Sequence, residues 1–317
     1  AQNQKAWNAN LLLRRKLRKM PFNEILKNCS AKPWLIGNSE ISGNPVPAIM
    51  GILNLTPDSF FDGGLHASHE EGIAFAKKLL EDGANIIDIG GESSRPGAIP
   101  VSAKDEIERI LPVIKALTAM SLEKPFFISI DTTKTEVAIA ALQAGAHIIN
   151  DVSMLSEKNM AQVIKDFNAS VVLNHRRGNF STMQKDFSPY QNVVEEVRTE
   201  LNQAAEKLRI LKVPKEKICL DPGIGFGKTP KDNFELIANA EFFLQDGYPL
   251  LYGMSRKSYI GKVKELETSN RLIPTITSGI LATLGGVTVL RVHDVKETKE
   301  SLALLEAFRN DGAIYSI

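Results

Sequence analysis

Three polar side chains of this 317-residue chain stand where an apolar run stops. Asp131 follows Phe126 to Ile130, Asn150 follows His147-Ile148-Ile149, and Asp221 follows Ile218-Cys219-Leu220. A carboxylate in apolar surroundings is costly unless it is paired or hydrogen-bonded. Taken singly, each residue can cap a neighbouring helix or turn; three in equivalent places point to a shared site. A carboxylate accepts two parallel N–H bonds, worth about 1.5–3 kcal/mol each when charged. The matching target is a planar heterocycle with adjacent ring N–H and exocyclic NH2 groups. A metal ion is the other target, but no His or carboxylate cluster in the sequence completes its shell.

A second set is cationic. Ser255-Arg256-Lys257-Ser258 follows Leu250-Leu251-Tyr252, and Arg291-Val292-His293-Asp294 follows Val287 to Leu290. Period-two spacing sends Arg291 and His293 to one side of a strand. With Lys257 they suit a diphosphate, because preorganised donors contribute most where negative charge develops on a leaving group. Arg256 is assigned no role in the site, a surface salt bridge being its plain alternative. Asp221-Pro222-Gly223-Ile224-Gly225-Phe226-Gly227-Lys228-Thr229 superficially resembles a phosphate-binding P-loop, but Pro222 stands where that motif needs its first glycine. Its glycines instead let the backbone approach a ligand, with Phe226 offering a ring to pack on it.

The elements that must position these groups recur along the chain. Further apolar runs end in Asn54, in Gly91-Glu92 and in Asn174-His175. Helical stretches are predicted after each strand, at about 69–82, 102–120, 134–144, 157–167, 191–211, 231–240, 272–285 and 296–309. Ser102 and Thr133 are the expected N-caps of the second and third. Eight buried strands alternating with helices predict an α/β fold, a single (β/α)8 TIM barrel, whose strand ends meet at one catalytic mouth. The barrel is assigned to 48–317 and an N-terminal extension or interdomain junction to 1–47. That extension is read as helical at first, then as a short hairpin over the Gly-, Asn- and Pro-rich stretch from Trp34 to Pro47, plugging the barrel bottom. Two long loops, Thr56 to Gly64 and Glu92 to Ala98, mix hinges with polar groups as mobile functional lids do.

A net charge of +1, from 38 basic and 37 acidic residues, gives no reason to expect a nucleic-acid partner. The basic cluster at Arg14, Arg15, Lys16, Arg18 and Lys19 lacks interleaved aromatics and reads as a solvated helix face. Two cysteines, Cys29 and Cys219, form neither a disulfide framework nor a metal quartet, which suits a reducing cytosol. No apolar run reaches the ~18 residues that span a membrane.

Seven motifs in order resemble the dihydropteroate synthase family, from Ile49 to the C-terminus. They are Met50 to Phe60, Gly90 to Gly97, Ile130-Asp131-Thr132, Ile149-Asn150-Asp151, Asp221-Pro222-Gly223, Ser255 to Ser258 and Arg291 to Asp294. The resemblance implies condensation of 6-hydroxymethyl-7,8-dihydropterin diphosphate with 4-aminobenzoate. It places Asp131, Asn150, Asp221 and Lys257 on the pterin, and Asn54, Arg291, His293 and Ser94 on the diphosphate. Phe226, Ser258 and Arg95 fall to the aminobenzoate, and Asn54 and Asp62 to Mg2+, with Asp131, Lys257, Arg291 and His293 as the catalytic set. It also implies a homodimer. A methyltetrahydrofolate-dependent pterin-binding methyltransferase, or an inactive paralogue, is the alternative. One departure is plain. After the fifth strand the family reads Met-His-Met-Arg-Gly, whereas this chain has Asn174-His175-Arg176-Arg177-Gly178.

Overall fold

The computed structural model describes residues 31–56, 64–93, 100–122, 124–178 and 189–309. A hairpin of β1 (Trp34–Ile36) and β2 (Ser39–Ile41) precedes the barrel strands. These are β3 (Ala48–Asn54), β4 (Ile86–Gly90), β5 (Phe127–Asp131), β6 (Ile148–Asp151), β7 (Ser170–Asn174), β8 (Ile218–Asp221), β9 (Leu251–Tyr252) and β10 (Val289–Val292). Each pairs in parallel with its neighbour, in the order β8-β7-β6-β5-β4-β3-β10-β9. A parallel bridge between Leu220 and Leu250 closes the ring.

Around it lie α1 (Gly64–Glu81), α2 (Ala103–Thr118), α3 (Thr135–Gln143), α4 (Met160–Asp166), α5 (Val193–Ile210), α6 (Pro230–Ala238), α7 (Ala240–Phe243), α8 (Ser258–Lys264), α9 (Leu272–Leu284) and α10 (Val295–Arg309). Ser102 caps α2 as expected, accepting from Asp105 N at 3.1 Å. The expected cap at Thr133 is not formed. Lys134 holds the N-cap position of α3 without a side-chain bond, its own N donating to Thr132 Oγ1 at 3.2 Å. None of the helices among the described residues is long and apolar enough to cross a membrane.

Strand parity builds the interior. One set of alternate strand residues, Ile49, Leu53, Ile87, Ile89, Ile128 and Ile130, faces outward and is buried under the helices. The other set, Met50, Ile86, Ile148, Val172, Cys219, Leu251 and Val289, faces inward and forms a separate apolar layer at the barrel bottom. Two residues further on, the same inward face carries Asp88 on β4, Asn150 on β6, Asn174 on β7, Asp221 on β8 and Arg291 on β10. A period of two thus stacks an apolar floor under a polar layer.

The hairpin seals that floor. Trp34 and Ile36 are fully buried in the apolar layer, and Trp34 Nε1 donates to Lys217 O at 3.2 Å. Ser170 Oγ donates to Leu35 O at 2.7 Å, and Thr288 Oγ1 to Lys32 O at 2.8 Å, so two strands are stitched to the plug. Replacing Trp34 with alanine empties the centre of the floor. The expected cost is about 3–5 kcal/mol, as for other buried aromatic truncations. Urea unfolding followed by far-ultraviolet circular dichroism checks it; an unchanged midpoint would remove the plug from the stability of the barrel.

Candidate active site

The polar layer is an ion-pair network built across strands. Arg291 Nε donates to Asp88 Oδ2 at 2.5 Å, and its Nη2 to Asp131 Oδ2 at 2.8 Å. Asn150 Nδ2 donates to the same Asp88 oxygen at 3.1 Å. Asp131 and Asn150 are register partners on neighbouring strands, so one guanidinium bridges two carboxylates beside an amide. Burial pushes the Asp131 carboxyl up to about 7; Arg291 pulls it back, while Asp88 and Glu106 repel its charge. Arg291 stays fully charged, because Asp88 and Asp131 outweigh the burial that would pull it down.

On the opposite wall, Asp221 Oδ1 accepts from Gly223 N at 2.8 Å and Oδ2 from Asn174 Nδ2 at 2.9 Å. Burial raises the Asp221 carboxyl, and Lys257, Lys228 and Arg291 oppose it. Lys257, the residue before α8, donates from Nζ to Ile224 O and lies 4.0 Å from the centroid of the Phe226 ring. Burial lowers its ammonium to about 8 against the pull of Asp221 and Asp131.

Under this wall the 222–228 loop is tied down from within. Lys228 Nζ is 2.9 Å from His175 Nδ1 and donates to Gly223 O at 2.9 Å and Phe226 O at 3.1 Å. An ammonium has only donors, so His175 accepts at Nδ1 and donates from Nε2 to Glu200 Oε2 at 2.9 Å. Burial keeps that imidazole neutral, down at about 4. Gly223 has φ +68°, and a Cβ there would sit 1.7 Å from His175 O. Only glycine fits this approach of loop to strand.

The structure therefore brings together Asp131, Asn150, Asp221, Lys257 and Arg291 as one layer, with Phe226 on its rim. Asn54 ends β3 beside Gly90, its register partner. His293 lies just past β10, its N and Nδ1 at 3.2 and 2.9 Å from Ser255 Oγ. Ser258 opens α8 at the surface. Asp62, Ser94 and Arg95 lie outside the described residues. Arg256 pairs with Asp294 at the surface, as its reading anticipated. Asp88 was not among the expected site residues. Its signal was its place on the inward face, two residues after Ile86 in a strand buried on both faces. Among the described residues, four buried polar atoms of the layer have no hydrogen-bond partner: Asp88 Oδ1, Ser129 Oγ, Asn150 Oδ1 and Asn174 Oδ1. These groups are open to a hydrogen-bonding ligand or to ordered water. A cavity of about 760 Å³ opens at the other end of the barrel. Of its charged residues Lys77, Glu81, Lys124 and Lys299 are exposed and Glu306 is half-buried, and no residue of the polar layer lines it.

The pterin binding enzyme family matches residues 50–293. The dihydropteroate synthase of Escherichia coli K12 is 42% identical over 261 residues, which cover 82% of this chain and 91% of that protein. The chain belongs to the dihydropteroate synthase family. Solved synthases agree in fold. That of Xanthomonas albilineans with 4-aminobenzoic acid has a TM-score of 0.80 at 36% identity, covering 88% of this chain and 98% of the other. That of Burkholderia cenocepacia complexed with 7,8-dihydropteroate has a TM-score of 0.80 at 35% identity, covering 89% and 98%. These matches favour the synthase family over a methyltransferase or an inactive barrel, and the interior charge fits it. Three carboxylates, Asp88, Asp131 and Asp221, are balanced by Arg291 and Lys257 in the layer and by Lys228 beneath the 222–228 loop.

Proposed function

We propose that the chain condenses 6-hydroxymethyl-7,8-dihydropterin diphosphate with 4-aminobenzoate, releasing 7,8-dihydropteroate and diphosphate. The observation that carries this is the layer of Asp131, Asn150, Asp221 and Lys257, with unpartnered acceptors between them. A pterin edge supplies adjacent ring N–H and NH2 donors, which a carboxylate takes in pairs. Asp131, Asn150 and Asp221 hold that edge, and Lys257 donates to a ring acceptor. The synthases of X. albilineans and B. cenocepacia, seen with 4-aminobenzoic acid and 7,8-dihydropteroate, support the substrate pair.

The diphosphate falls to Asn54, Arg291, His293 and Ser94. Arg291 uses Nε and Nη2 on carboxylates, and Nη1 takes part in neither pair. The aminobenzoate falls to Phe226, Ser258 and Arg95, Phe226 presenting a ring steadied by the Lys228 ties. When the carbon–oxygen bond to the diphosphate breaks, its electron pair leaves with the diphosphate. Arg291 and His293 stabilise that charge, while Asp131 and Asp221 offset the positive charge left on the pterin. The arylamine nitrogen then bonds to the methylene carbon and loses a proton. No side-chain nucleophile is needed.

Mg2+ belongs to the same proposal. This ion usually takes one or two protein oxygens and completes its shell with phosphates and water. An amide oxygen at Asn54, with the carboxylate of Asp62, fits that mode. Bound there, it would neutralise charge on the departing diphosphate. We place the enzyme in the cytosol as a homodimer, for which Ile273, Leu281, Leu304 and Phe308 offer exposed apolar side chains on the outer helices α9 and α10.

The direct test is dihydropteroate formation from the two substrates with Mg2+, then with a chelator. Product that forms with Mg2+ and stops with the chelator is the expected result. Product unaffected by the chelator would remove the metal, and bound pterin without product would remove the reaction.

A further inference from the structure

Asn174, at the position where the motif of the resemblance reads methionine, contacts Asp221 directly on the proposed pterin wall. It ends β7 in register with Asp221 on β8, is 4% exposed, and donates from Nδ2 to Asp221 Oδ2 at 2.9 Å. A thioether has no N–H to offer, so this bond is particular to an amide at the position. Together with Gly223 N on Oδ1 it gives each oxygen of the carboxylate its own donor and fixes the plane of the group.

We propose that Asn174 is a positioning residue for the pterin, holding Asp221 charged and correctly aimed through the bond from its amide. This rests on the pterin-binding role proposed above for Asp221. A carboxylate that accepts hydrogen bonds is favoured in its charged form. Asp221 needs that help, since its burial opposes charge. The charged groups that face it are Lys257, Lys228 and Arg291, and the titratable neighbours Cys219 and Tyr252 also feel its charge. None of the three cations is placed to hydrogen-bond it among the described residues. Lys257 is bonded to Ile224 O, Lys228 to His175, Gly223 and Phe226, and Arg291 to Asp88 and Asp131. Their fields favour the charge without fixing its direction; the amide of Asn174 does both.

The test is Asn174→Met, a change that fills similar space and removes the amide donor. Pteroic acid binding is measured by titration calorimetry from pH 6 to 9, in the wild type, in Asn174→Met, in Asp221→Asn and in the double variant. Loss of the amide donor raises the Asp221 carboxyl further, so less of it is charged at low pH. The expected result is binding about tenfold weaker at pH 6, one unit of displacement being a factor of ten, with the ratio shrinking as pH rises. On the Asp221→Asn background the same change should have no pH-dependent effect. In steady state, the KM for the pterin diphosphate should rise while that for 4-aminobenzoate does not. A constant ratio across pH, or an equal loss on both backgrounds, would mean simple packing and overturn the proposal.

A ligand-free measurement separates this claim from the pterin reading. Asp221 has a folded value above its unfolded one, so ionising it removes stability as pH rises. Without the amide that loss is larger. The melting temperatures of wild type and Asn174→Met should therefore diverge from pH 5 to pH 8, and not do so on the Asp221→Asn background. Divergence without any pteroic acid binding by the wild type would sink the pterin reading and keep the Asn174–Asp221 coupling. Parallel melting curves would sink the coupling itself.

Discussion

Asp221→Ala is expected to weaken pteroic acid binding by at least about a hundredfold. Two charged hydrogen bonds to the ligand, at about 1.5–3 kcal/mol each, are lost, and every 1.4 kcal/mol is about a factor of ten. The damage extends beyond the ligand. Gly223 N loses its acceptor, and Asn174 Nδ2 is left with no carboxylate to bond. Lys257 and Lys228 lose the charge that Asp221 sets against their burial, so both ammonium groups fall further below about 8 and about 7. Asp221→Asn keeps the shape and one acceptor oxygen, and should fall between wild type and alanine. Calorimetric titration of the three proteins, with circular dichroism to show that each is folded, reads the series. Equal affinity in wild type and Asp221→Ala would remove the carboxylate from the site.

How far the sequence reveals such a site depends on which interactions are local. The barrel strands were legible because strands buried on both faces read as apolar runs that stop abruptly at a polar residue. The helices between them were legible from their periodicity, and Ser102 from its position before Asp105 and Glu106. The seven-residue α8 was too short for periodicity to show, so no helix was expected after Lys257. Asp131, Asn150 and Asp221 announced themselves by ending their runs. Asp88 did not, since Ile89 and Gly90 follow it within the same strand. Its partner Arg291 lies 203 residues away, and only closure of the ring brings the two together. Lys228 was hidden differently. Its glycine-rich surroundings drew attention to phosphate binding, whereas in the structure it points under the loop and bonds to three of the backbone and ring acceptors that shape it. Parity recovers part of what was missed. Counting two residues on from Ile86, Ile148, Val172, Cys219 and Val289 yields Asp88, Asn150, Asn174, Asp221 and Arg291 as a single layer. No such count supplies the pairing within the layer, which depends on strand stagger around the ring.

That pairing makes Arg291→Ala the more revealing change for the barrel itself. Reading Arg291 as a diphosphate ligand alone predicts slower turnover and an unaltered fold. The structure predicts both effects. Removing one member of a buried ion pair leaves an uncompensated charge, at a cost of about 3–5 kcal/mol. Here two carboxylates are abandoned at once, Asp88 with no exposure and Asp131 with 13% of its side chain exposed. Asp131 is already up at about 7 with Arg291 beside it, and without that cation it moves higher still. A carboxyl whose folded value exceeds its unfolded one removes stability as pH rises and returns it as pH falls. The deficit of Arg291→Ala should therefore be greatest above pH 8 and shrink on acidification through the raised Asp131 value, the reverse of acid unfolding in most proteins. Adding Asp88→Asn should recover part of the loss, because the second change neutralises a charge that the first left unpaired. Arg291→Lys keeps one charge but loses the fork that reaches Asp88 and Asp131 together, and should be intermediate. Turnover should fall by about a hundredfold or more in Arg291→Ala, as when a preorganised donor to developing charge is removed. Melting curves at pH 6 and pH 8.5 alongside steady-state rates decide the matter. A stability loss that does not vary with pH would mean that Arg291 fills space rather than balancing Asp88 and Asp131. An unchanged rate in a folded protein would take it out of diphosphate departure.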